Sequence, residues 1–415
     1  MSPRQYFLRK PSKPVFVAMA TTRTTERTWP ELLGSNNWKG LLEPLDLDLR
    51  RLILRSGDFC QATYDAFNND QNSKYCGSSR YGKQSFFQKV MLDSASDYQV
   101  SSSLYATAQV TVHEAFLLHA LSREAWDRES NWIGYIAVTT DEASKSLGRR
   151  EIYVAWRGTT RNYEWVDVLS AKLESAKPLL QSKVFKTRPD EGNDSSTDSG
   201  EDDESVPKVM LGWLTVYTSS DPKSSFTKQS ARAQLLTQIK KLVNQYKDEK
   251  LSITFTGHSP GASLSILSAF DIVENEISDI PVTAFVFGCP RVGQLLGYVS
   301  SGTELVIDTR MSASLKDSTN PSDWHNLQGM LHIVAGWNGA DGEFKLEVER
   351  SPALVNKSSE FLKDEYLIPG SWWVEKNKGL VRDEKGEWVL DHNLNMLVVT
   401  HQSFRGVSQH AQALV

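Results

Sequence analysis

The sequence predicts an α/β fold built on a mainly parallel sheet, and three observations predict it. Apolar, β-branched runs alternate with helical patterns along the chain. Several of those runs are continuously apolar, as strands covered on both faces are. A Gly-x-Ser-x-Gly turn also joins one such strand directly to an apolar helix. At 415 residues the chain can form one large domain or two or three smaller ones.

The first 25 residues contain no acid and include Arg4, Arg9, Lys10, Lys13 and Arg23. Residues 1–28 are expected to form a disordered leader, with a plastid or mitochondrial transit peptide as the alternative. Strands are expected at residues 132–138 (WIGYIAV), 151–156 (EIYVAW), 251–255 (LSITF), 282–287 (VTAFVF) and 304–308 (ELVID). Between them, residues 230–247 place Leu235, Leu236, Ile239, Leu242, Val243 and Tyr246 on one helical face. Residues 262–275 are apolar almost all round, which predicts a buried helix. Residues 189–207 (PDEGNDSSTDSGEDDESVP) carry eight acids and almost nothing apolar, so a solvated loop is expected there.

Composition narrows the function classes. The net charge of −5 leaves no basic excess for phosphates, so nucleic acid is not an expected partner. No run reaches the roughly 18 apolar residues of a membrane span, and any membrane contact is expected to be peripheral. Three cysteines, Cys60, Cys76 and Cys289, are too few and too irregular for a disulfide framework or a zinc site, which favours a reducing compartment. The sequence carries no cue to oligomeric state.

The chemistry centres on residues 256–262, TGHSPGA. A Gly-x-Ser-x-Gly match alone arises by chance in about a tenth of such chains. Here it follows the strand LSITF and precedes the buried helix, the setting that holds a serine hydroxyl out at a sheet's carboxyl edge. A serine helix cap between two glycines is the structural alternative. Among the eight histidines, His325 lies in a polar loop suited to a mobile imidazole, whereas His332 reads as part of the following helix. His258 adjoins the serine and is expected to point elsewhere. His113 and His119 flank Glu114, but Leu117 stands where a zinc helix motif needs histidine. Trp372 and Trp373 are expected inside the protein rather than at a lipid surface.

The blocks AWRGTTRNYEWVDVL at Ala155, TGHSPGASLSILSAFDI at Thr256, FGCPRVG at Phe287, DWHNLQGMLHIVAGWNG at Asp323 and ALVNKSSEFLKDEYLIPGSWWVEKNKG at Ala353 carry a specific likeness. Together they resemble the plant phospholipase A1 class II proteins, a branch of the class 3 (fungal triacylglycerol lipase-like) lipases, over residues 29–390. The resemblance implies an α/β-hydrolase fold, a cytosolic enzyme, no cofactor or metal, and release of the sn-1 acyl chain from phospholipids or other glycerolipids. It implies Ser259 as nucleophile, His325 as general base and Thr159, after the WRG run, as an oxyanion-hole residue. It also makes the acidic insert a family trait rather than a binding site.

Three departures stand out. Pro260 follows the nucleophile where the family usually has leucine; it suits a helix start but has no N–H for the oxyanion. The family pattern next implies a helix and a strand bearing the triad aspartate after FGCPRVG, about thirty residues that are absent here, where Gly293 and Gln294 run straight into Leu295. Read without the family, Asp308 would complete a triad with Ser259 and His325, yet the pattern places it one strand too late; Asp317 and Asp323 are weaker candidates. Residues 391–415 match nothing in the family pattern. A serine acyl hydrolase with impaired turnover is therefore expected, the alternative being a catalytically defective lipid- or protein-binding isoform.

Overall fold

A computed structural model describes residues 27–107, 121, 130–158, 173–180, 207–275, 279–290, 293–294, 302–373, 380–384, 386 and 388–390. The expected leader but for Arg27 and Thr28, the tail, and all of the acidic run but Pro207 lie outside these residues, as do His113, Glu114, Leu117 and His119.

The main sheet contains β1 (Tyr98–Ala106), β2 (Asn131–Thr139), β3 (Arg150–Trp156), β6 (Leu251–His258) and β7 (Val282–Phe287), in that spatial order. It is mixed. β1, β2 and β3 pair antiparallel, whereas β3–β6 and β6–β7 are parallel. The parallel strands end almost level, with Trp156 opposite Gly257 and His258 opposite Phe287. Their carboxyl ends therefore form one continuous edge, the place where open α/β sheets build sites. Three short strands, β4 (Leu173–Ser175), β5 (Lys208–Met210) and β8 (Gly293–Gln294), form a second sheet. A final hairpin pairs β9 (Leu380–Arg382) with β10 (Trp388–Leu390).

β2, β3 and β6 are buried at every position because helices cover both faces of the sheet. On one side Trp156, Ile253 and Phe255 pack against the helices Leu211–Thr218, Ala231–Gln245 and Pro260–Glu274. On the other, Trp132, Tyr135 and Tyr153 meet Phe59 and Ala62 of the 20-residue helix Leu47–Ala66. The helix Ala231–Gln245 begins where the stripe predicts: the Ser230 hydroxyl caps it by accepting from Ala233 N–H at 3.2 Å. Trp372 lies inside, as its sequence predicts, 2% exposed and with its ring 4.8 Å from that of Trp388.

Two differences from the sequence reading have physical causes. Residues 304–308 form no strand. Leu305 and Ile307 lodge against apolar clusters while Val306 is 73% exposed, so the alternation is satisfied by side-chain packing without a ladder. β1 carries no apolar strand signal because Ser101, Ser102 and Ser103 interrupt its pattern; at the end of the strand order and with two register shifts, it tolerates them. Among the described residues no helix is long and apolar enough to cross a membrane.

Candidate active site

β6 delivers His258 to the sheet edge, and the chain then reverses through Ser259 into the helix Pro260–Glu274. Ser259 has φ 58° and ψ −130°, a backbone conformation that costs about 1–3 kcal/mol for a non-glycine residue and persists only under constraint. The constraint is visible. The Ser259 N–H donates to the Phe287 carbonyl at 3.0 Å, and its own carbonyl accepts from Ala262 N–H at 2.9 Å. A Cβ on Gly257 would stand 2.2 Å from the Gly261 oxygen, and one on Gly261 would stand 2.4 Å from the Trp156 oxygen. Both glycines are thus required because backbones touch there. The serine is 3% exposed.

Pro260 occupies the first turn of the helix, where its ring costs nothing because that N–H would have no intrahelical partner. The helix N-terminus still turns its positive end toward Ser259. The position that would supply an oxyanion N–H is nevertheless without one.

His325 sits in the short break between the turn Pro321–Trp324 and the helix Leu327–Gly336. Asn326 pins that break: its Oδ1 accepts from Gln328 and Gly329 N–H, and its Nδ2 donates to Val355 O and Ser359 Oγ. The Nδ1–Cε1 edge of the imidazole lies over Gly288, where an added Cβ would come within 2.7 Å of both atoms. Gly288 follows Phe287, the residue whose carbonyl holds Ser259, so one β-strand terminus positions Ser259 and the His325 imidazole together. Burial pushes the His325 imidazole down to about 3. The ring of His258 lies 4.3 Å from that of His325.

The structure does not bring Asp308 to His325. The Asp308 carboxylate accepts from Arg310 Nη2 at 2.6 Å, from its Nε and from its backbone N–H, bonds that hold it below the usual carboxylate range. Asp323 accepts from the Ser318 hydroxyl at 2.5 Å, and Asp317 is exposed. Among the described residues, no carboxylate hydrogen-bonds to His325. Thr159 lies outside the described residues. His332 is inside the helix Leu327–Gly336, its Nε2 2.8 Å from Ser312 Oγ.

Two neighbours of the site were not legible in sequence. Gly288 carries no local signal beyond its place after a strand. Tyr64, near the end of the helix Leu47–Ala66, places its hydroxyl 2.8 Å from His258 Nδ1 across a separation of 194 residues.

These histidines also set a pH response. Burial lowers His258 and His332 to about 4 and His325 to about 3, from an ordinary value of 6.5. The unfolded chain therefore binds more protons than the folded one below about pH 6.5. Their contribution to stability is complete above that pH and is lost as pH falls toward 4. Urea midpoints measured from pH 7 to pH 4 should decline steadily, and His332→Gln should flatten part of the slope; a slope unchanged by that substitution would contradict the assignment.

The family model for Lipase (class 3) matches residues 153–304. Phospholipase A1-IIdelta from Arabidopsis thaliana is 60% identical over 404 residues, spanning 90% of this chain and 97% of that protein. Phospholipase A1-II 5 from Oryza sativa subsp. japonica is 47% identical over 402 residues, spanning 88% and 83%. Ninety per cent of 415 residues is about 374, so about thirty of the 404 positions aligned with the Arabidopsis protein have no residue in this chain. Among solved structures, the native Rhizomucor miehei lipase propeptide complex superposes with a TM-score of 0.32 at 17% identity, covering 61% of this chain and 56% of that one. So loose a superposition carries no weight here.

Proposed function

This chain belongs to the class 3 lipases, α/β hydrolases that include the plant phospholipase A1-II proteins, and from that premise we propose that it cleaves the sn-1 ester of glycerolipids slowly, through Ser259. Membership makes it a carboxylic ester hydrolase by descent; the positional specificity and the slow turnover are our reading. The observation that carries it is the constrained Ser259 backbone, φ 58° and ψ −130°, with His325 held against the same strand end.

In this reading Ser259 Oγ attacks the ester carbonyl while its proton passes to His325. The tetrahedral oxyanion is held by Thr159 and the positive end of the helix Pro260–Glu274. Collapse expels the lysolipid oxygen, which takes the proton back from His325, and water then repeats the sequence to release the fatty acid. Each pass makes His325 cationic. Burial disfavours that cation, and a base pushed down to about 3 is a weak proton acceptor at neutral pH. A triad carboxylate would normally offset this, and none of the described ones does so. Pro260 removes a second contribution.

Those same two observations favour the alternative, a lipid- or protein-binding isoform with no turnover. Serine-directed fluorophosphonate labelling, run beside phosphatidylcholine hydrolysis, separates the readings. Slow labelling and slow release of the sn-1 fatty acid are expected, and both should vanish in Ser259→Ala. Equal background labelling of the two proteins would leave only the binding role.

A further inference from the structure

We propose that Tyr64 and His258 are positioning residues for the base: together they form a directional hydrogen-bond run that holds the His325 backbone, with its Tyr64 end packed against the backbone just before Thr159. The proposal rests on His325 being the base of the reaction described above.

Each bond in the run has only one possible sense. His258 Nε2 lies 2.8 Å from the His325 carbonyl oxygen, which can only accept, so Nε2 carries the proton. Nδ1 of the neutral ring is then an acceptor, and the Tyr64 hydroxyl 2.8 Å away must donate to it. The Tyr64 oxygen is left free to accept and faces the backbone of Gly158. The run therefore reads Tyr64 Oη–H to His258 Nδ1, and from His258 Nε2–H to His325 O, with Tyr64 packed against Gly158. Gly158 leaves no space for another residue: its Cβ would lie 2.1 Å from Tyr64 Oη and 2.5 Å from the His258 oxygen.

The two ends of this run lie at the two loops that acyl transfer must hold in register. Gly158 immediately precedes Thr159 on the loop after β3, and His325 carries the proton. The Nδ1–Cε1 edge of the imidazole lies over Gly288. His258 fixes the backbone from which that imidazole hangs, with its own ring 4.3 Å away. This accounts for a histidine beside the nucleophile whose ring nitrogens are both committed elsewhere. It also explains why the residue must be neutral: a protonated His258 would present two N–H groups, and Tyr64 would lose its acceptor.

The test uses the full chain, with a fluorophosphonate as probe and nitrogen-15 NMR of the histidine rings as a readout independent of turnover. Tyr64→Phe should slow labelling of Ser259 about tenfold. His258→Phe should slow it about a hundredfold, the scale of a misplaced catalytic group. His258→Gln, whose amide can donate to His325 O and accept from Tyr64, should recover most of that loss. Substrate KM should change little while kcat falls. The NMR spectrum should show His258 as the neutral Nε2–H tautomer, with the His325 ring resonances shifting in Tyr64→Phe. An Nδ1–H tautomer, or folded Tyr64→Phe and His258→Phe proteins labelled at the parent rate, would overturn the proposal. If the parent protein itself is not labelled, the hydrolase reading fails separately; His325 resonances unmoved by Tyr64→Phe would then refute the positioning role.

Discussion

Restoring the missing segment is expected to raise turnover by about ten-thousandfold, the scale on which a triad acid acts. The experiment inserts after Gly293 the residues of Phospholipase A1-IIdelta that align with no residue of this chain, about thirty of them. Among the described residues the strand order of the main sheet ends at β7, the edge that a further strand would join. A carboxylate arriving beside His325 would stabilise the imidazolium that burial now disfavours. The pH profile is the sharper readout. With His325 at about 3, the acid limb of kcat/KM should lie well below neutrality in the parent protein. In the graft it should move upward, because a nearby negative charge favours the protonated ring. A folded graft with parental turnover and an unmoved acid limb would show that acid loss is not what limits this site.

Pro260→Leu is expected to speed acylation of Ser259 by about a hundred to a thousandfold, the value of one oxyanion-hole donor. Position 260 starts the helix, and its backbone nitrogen stands where the family's second donor would be. Leucine supplies the N–H and keeps a helical φ, so fold stability should change little; the loss of proline's preset conformation is small at a first-turn position. The gain should appear in kcat rather than KM, since the oxyanion exists only after attack. The effect should be largest in the grafted protein, because groups that act as a unit are not additive. If acylation is equally slow with proline or leucine, the oxyanion is stabilised wholly from elsewhere.

Much of this protein was readable locally. β2, β3, β6 and β7 announced themselves as short apolar runs, and the helices Ala231–Gln245 and Pro260–Glu274 as a stripe and an apolar block. Their periodicity is imposed by neighbours a few residues away, so a window on the sequence captures it. The elbow was legible for the same reason: Gly257, Ser259 and Gly261 crowd one turn. The strand assigned to residues 304–308 failed because an apolar run specifies extension, whereas a strand also needs an edge to pair with. The helix Leu47–Ala66 was not read, and with it went Tyr64.

The sequence by itself determined the tight turn that carries Ser259, the proline without an N–H that follows it, and the family to which the chain belongs. Only the tertiary structure decided which of its polar groups meet. It committed Asp308 to Arg310, seated His325 on Gly288, and set Tyr64 against His258 across 194 residues. A hydrogen bond requires a donor and an acceptor within about 3 Å. Which pairs from distant segments achieve that depends on how helices and strand ends are stacked, and no local pattern of residues encodes it.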